Sequence, residues 1–147
     1  MNIQDIIKTL NEFTPFPEDD PVNDNKSFLS GLMDSWVELN DREKAIPSIF
    51  QLMEKFPHAD LGSPGPLVHS LESGGPKLYE GELHKSLLRR PTPLSLWMYN
   101  RIMNAENDQR IIRGHFERLK LFSIHPLADA ETKEVANDFI EHQEQRL

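Results

Sequence analysis

Three groups of residues have the types and spacing to do chemistry. His58-Ala59-Asp60 followed by His69 could supply nitrogen and oxygen ligands to a metal ion. A metal-assisted hydrolase built on His58, Asp60 and His69 is therefore one reading. However, HExxH or a comparable ligand spacing is missing, and Pro57 with the following glycine places these residues in a loop. Glu18, Asp19, Asp20 and Asp24 form a second group, inside a stretch with three prolines, TPFPEDDPVNDNK. Paired acids do acid–base work only where a pocket shifts their pKa values; in an open loop they are a solvated charge run or a contact surface. Gly62-Ser63-Pro64-Gly65 is the third group. It lacks the GxSxG pattern of a nucleophile elbow and the GxxxxGK[ST] pattern of a phosphate loop, so Ser63 reads as a helix cap.

The remaining histidines read structurally. His115 falls on an apolar helix face, as a satisfied core histidine does, and His125 precedes a proline and serves a turn. Arg89-Arg90 suits the C-terminal end of a helix, where cations meet the carbonyl dipoles. No cofactor, no metal and no catalytic activity are expected.

Composition narrows the class further. The 147 residues suit one domain, 1–147, large enough to bury a core without metals or disulfides. Cysteine is absent, which excludes thiolate chemistry and agrees with a reducing cytoplasm. MNIQDIIKTLNEF lacks the basic start and apolar run of a signal peptide, and no apolar run is long enough to span a membrane. The net charge is -8 and the pI about 5.2. Such a surface repels phosphate backbones, which disfavours nucleic acid, and it speeds encounter with a basic protein.

The elements that must position these residues are all helices. Ile3, Ile6, Ile7 and Leu10 mark a first helix with Asn2 as N-cap, stopped by Thr14-Pro15. Phe28, Leu29, Leu32, Met33, Trp36 and Val37 predict a helix over 26–39. Ile46, Ile49, Phe50, Met53 and Phe56 predict another, beginning within a turn of Pro47. Ser63-Pro64 and Thr92-Pro93, 29 residues apart, each read as N-cap then first helical residue. Between them Gly74-Gly75-Pro76 stops one helix, and 78–89 forms the next. The segment opened by Thr92 is apolar nearly all round and reads as central, with Trp97, Tyr99 and Met103 in the core. Ile111, Ile112, His115, Phe116, Leu119 and Phe122 mark a further face, and a last helix begins near Ala130. Strand alternation is absent. The expectation is an all-α fold of six to eight helices, either an irregular bundle or a short α-solenoid of helical hairpins.

DLGSPGPLVH at 60–69, with PTPL at 91–94 and WMYNR at 97–101, resembles small all-helical bacterial immunity-type proteins of polymorphic and contact-dependent toxin systems. The resemblance covers roughly 57–104 and includes no catalytic motif. It implies a cytoplasmic protein that binds and blocks a cognate toxin, with no individual contact residue carried over. The acidic loop then supplies the expected partner contacts, Glu18, Asp19, Asp20 and Asp24, facing a basic toxin domain. A homo-oligomeric helical scaffold is the remaining alternative.

Overall fold

The computed structural model describes all 147 residues and contains eight α-helices, one 3-10 turn and no strand. The helices are α1 (Ile3–Glu12), α2 (Asn25–Val37), α3 (Ile46–Lys55), α4 (Gly65–Ser73), α5 (Pro76–Arg89), α6 (Pro93–Ala105), α7 (Gln109–Ser123) and α8 (Ala130–Glu144), with the 3-10 turn at Arg42–Ala45 before α3. The fold is all-α, as the periodicities predict. By packing, the chain divides into two compact units, Met1–Glu82 and Leu83–Leu147, and the boundary falls inside α5.

In the first unit α2 packs on α4, while α1 packs on α3 and the 3-10 turn. Partners thus lie two helices apart in sequence, which is bundle packing rather than a stack of sequential hairpins. In the second unit α8 packs on both α7 and α6.

Local signals explain most helix starts. The Asn2 side chain accepts from the Asp5 amide, and Asp5 reaches back to the Asn2 amide, a complete capping box. Thr92 caps α6 through the Ser95 amide, with Pro93 in the first turn. Pro47 sits in the first turn of α3. Ser63 is different. It makes no cap, and α4 instead begins at Gly65-Pro66 behind Pro64. Gly62 and Gly65 both have positive φ (105° and 79°), so the chain turns on two glycines and Ser63 is carried outward. A Cβ on Gly62 would run into the Gly65 backbone.

The tryptophans reverse the expected roles. Trp36 is fully buried, and its Nε1–H donates to the Arg42 carbonyl at 2.7 Å. The Arg42 guanidinium lies over the ring and donates to the Val37 carbonyl, so Trp36 locks the end of α2 to the 3-10 turn. Trp97 is 37% exposed, contrary to its assignment to the core. It shares an outward strip of α6 with Arg101 and Asn104, at spacings of four and seven residues. The rest of α6 is deeply buried, with Leu96, Met98, Tyr99 and Met103 at 0%. Phe28 (41%) and Ile111 (45%) are also exposed rather than buried.

The second unit is locked by polar groups. Buried Gln143 donates to the Asn100 and Asn104 carboxamide oxygens at 2.7 and 2.8 Å. Arg146 donates to the Met103 and Glu106 carbonyls, closing the C-terminal end of α6 from α8.

Trp36→Ala is expected to cost about 3–5 kcal/mol, the range for a fully buried large aromatic. Trp97→Ala is expected to stay within about 1 kcal/mol, as for a surface change. Thermal denaturation of the two variants side by side checks this. A larger loss for Trp97 than for Trp36 contradicts the assignment.

Candidate functional site

Two loops build the most chemically distinctive surface. One is the Pro-rich connection between α1 and α2; the other follows α3. Together they line a groove of about 550 Å³ with Pro15, Phe16, Pro17, Glu18, Asp20, Asn23, Asp24, Asn25, Lys26, His58, Ala59 and Asp60. Asn25 joins the two loops. Its carboxamide oxygen accepts from the Phe16 amide at 2.8 Å, and its nitrogen donates to the Asp60 carbonyl at 3.1 Å.

Phe16 is the aromatic side chain in the lining, and other phenylalanines pack around it. Phe16 packs edge-on against Phe13 and Phe28 at centroid distances of 6.2 and 5.7 Å. Phe13 stacks on Phe28 at 5.6 Å and meets Phe56 edge-on. The exposure of Phe28 follows: one ring face rests on Phe13 while the residue lies beside the groove, open to solvent.

The four acids expected as contacts do not behave alike. Glu18, Asp20 and Asp24 line the groove, and Asp60 joins them from the second loop. Asp19 is exposed but lies outside the lining. Asp20 accepts from the Val22 and Asn23 amides, both at 2.9 Å, closing a tight turn. Those two amides, Asn23 foremost, hold its carboxyl below the usual carboxylate range. Asp24 is the N-cap of α2 and accepts from the Ser27 amide at 2.8 Å, which lowers its pKa likewise. Asp20 and Asp24 thus combine charge with local structural duty, whereas Glu18 and Asp19 are the acids whose replacement changes charge alone.

Charge is unevenly shared. The first unit has 6 Lys/Arg against 15 Asp/Glu, a net of -9; the second has 10 against 9, a net of +1. The acidity of the chain therefore belongs to the unit that bears the groove. This asymmetry is present in the sequence but needs the boundary inside α5 to be read.

The proposed metal ligands are not gathered. His58 and Asp60 line the acidic groove, whereas exposed His69 lines a separate polar hollow with Lys26, Ser30, Asp34 and Ser63. No group of three or more His, Asp or Glu side chains is arranged to hold a metal ion.

In the second unit His115 is half-buried, and its Nδ1 and the Tyr99 hydroxyl share a hydrogen bond of 2.8 Å. The His84 ring stacks alongside at 6.4 Å between centroids, and Tyr99 also meets Phe122 edge-on. Burial raises the pKa of Tyr99. Burial first, then the nearby Arg118 and His84 charges, lowers that of His115, against a small opposing pull from Glu106. This is a satisfied structural pair joining α6 to α7. His125 serves its turn as expected: Nδ1 accepts from the Leu127 amide at 3.0 Å, and Nε2–H donates to the Leu88 carbonyl at 2.7 Å.

No family model matches the chain, and neither the curated proteins nor the solved structures contain a significant match.

Two outcomes follow. Asn25→Ala removes both bridges and is expected to cost about 1–3 kcal/mol, at about 0.5–1.5 per hydrogen bond. Amide exchange should rise over residues 14–24 and 58–62, and unchanged protection there would show that the loops do not depend on Asn25. Second, His115 has a folded pKa below its ordinary 6.5, so the folded state resists protonation. Stability should be constant above that value and fall as pH drops through it toward the lowered folded value. Melting temperatures measured through this window should show a smaller fall for His115→Gln than for the wild type; parallel profiles would contradict the assignment.

Proposed function

We propose that the chain is a protein-binding module that takes a basic segment of another protein into the acidic groove. Its partner, in this reading, is a toxin domain of a bacterial polymorphic or contact-dependent system, neutralised by occlusion. The protein performs no catalysis of its own. The single observation that carries the reading is the groove: four carboxylates around an aromatic side chain, on a unit of net charge -9. The resemblance of 57–104 to immunity-type proteins supports the same class.

The physics assigns separate tasks to the two parts of the groove. Exposed carboxylates accelerate encounter with a cation-rich surface but add little to affinity, because each surface pair is worth about 0–1 kcal/mol. Affinity then rests on desolvated anchors, and Phe16 with Phe28 offers an apolar and aromatic seat for aliphatic or guanidinium groups. A cation-rich segment with apolar residues interleaved satisfies both.

Co-expression with a basic C-terminal domain encoded beside this chain tests the proposal. Relief of toxicity and co-purification at low salt are expected. Glu18→Lys with Asp19→Lys should slow association by about 3- to 10-fold and flatten its salt dependence, as loss of steering does. Unrelieved toxicity together with no co-purification would end the reading. An unchanged on-rate in the double variant would move the interface away from the groove.

A further inference from the structure

The second unit carries an aliphatic knob that the packing leaves uncovered. Leu88, Leu121, Ile124 and Leu127 are 58–73% exposed. They come from the end of α5, the end of α7 and the turn that follows, and His125 gathers them. One ring nitrogen holds the Leu88 carbonyl and the other the Leu127 amide. The Ile124 amide closes onto the Leu121 carbonyl and ends the helix there.

The surroundings of the knob are cationic. Residues 83–127 contain eight Lys/Arg against three Asp/Glu. Lys85, Arg89, Arg118 and Lys120 lie within one helical turn of the four aliphatics. The acid on that side of α7, Glu117, is already paired with Lys120 at 3.0 Å. Such a surface calls for a partner that is acidic at the rim and apolar at the centre. The first unit of the same chain has such a surface: Glu18 and Asp24 at the rim, Phe16, Pro15 and Pro17 within, and exposed Phe28 beside them.

We infer that copies of the chain associate head to tail, the His125-centred knob of one copy seating in the acidic groove of the next. The contact is heterologous, because each copy contributes a different face, so it closes into a ring or extends as a chain. It rests on the reading of the groove as a docking surface and makes self-association a competitor of the foreign partner.

Two variants and their mixture test this. Sedimentation velocity of the wild type should show a mass above the 17.0 kDa monomer, rising with concentration and falling with salt. Leu121→Glu with Ile124→Glu removes the knob, and Glu18→Lys with Phe28→Lys takes a charge and an aromatic anchor from the groove; all four positions are exposed, and circular dichroism verifies that both variants fold. Each variant alone should be monomeric. Mixed, they should form a 1:1 pair of twice the monomer mass, because one copy still offers an intact knob and the other an intact groove. A wild type that stays monomeric from micromolar to millimolar concentration overturns the inference. So does a groove variant that still associates on its own, since that marks a symmetric knob-to-knob contact, and so does a mixture that remains monomeric although the wild type associates. A monomeric wild type that sediments with phosphatidylserine vesicles overturns it too and assigns the knob to an anionic membrane surface. The knob variant should still relieve toxicity in co-expression, so the failure of self-association is distinguishable from failure of the groove reading.

Discussion

A single carboxamide holds the candidate site together. The groove is made by two loops that are 35 residues apart at their meeting point, Asn25 and Asp60. Neither loop has a regular backbone ladder to fix it. Asn25 supplies the missing constraint by accepting from one loop and donating to the other. Its position at the start of α2 matters, because a helix end is anchored where a loop is not. Asp24 caps that same end, and Asp20 folds the chain just before it. The acids nearest the helix are therefore fixed by backbone amides, while Glu18 stands further out on the rim. A groove made this way is largely formed without a partner, which would lower the entropy cost of the proposed binding.

The partition of charge gives that surface its reach. A unit of net charge -9 projects an attractive field toward cations that one loop alone would not sustain. At physiological ionic strength the field decays over about 8 Å, so it guides encounter and orientation rather than holding the complex. In the proposed binding, holding would fall to Phe16 and Phe28, which pack on Phe13, itself met edge-on by Phe56. The two units thus differ in surface chemistry as well as in packing. The second unit, near neutral overall, gathers its cations toward 83–127 and leaves aliphatic side chains uncovered there.

Much of this fold was legible from the sequence wherever the signal was local. Asn2, Thr92 and Pro47 mark helix starts because caps and prolines act within one turn. Leu29, Leu32, Met33 and Trp36 mark a buried face because their spacing matches the helix period. The errors have equally physical causes. Trp97 looks like core by type, but Arg101 and Asn104 share its strip, and the strip decides which way it faces. Ser63 looks like a cap, but the glycines on either side turn the backbone away from the cap conformation. His69 was grouped with His58 and Asp60 by sequence proximity, yet it lines a different hollow, while His58 and Asp60 share a groove with Glu18, Asp20 and Asp24. That pairing, and the Gln143–Asn100 and Arg146–Met103 contacts, join residues about 35 or more apart, and no local pattern announces them.

The central claim is that the groove between residues 15–26 and 58–60 receives a basic protein segment. Amide and side-chain chemical-shift mapping of the isotope-labelled chain, titrated with a basic domain encoded beside it, addresses this most directly. The account predicts that the largest changes fall on Phe16, Glu18, the Asn25 carboxamide and Asp60, weakening as salt is added. Changes confined to the second unit, with residues 15–26 and 58–60 unmoved, would contradict it.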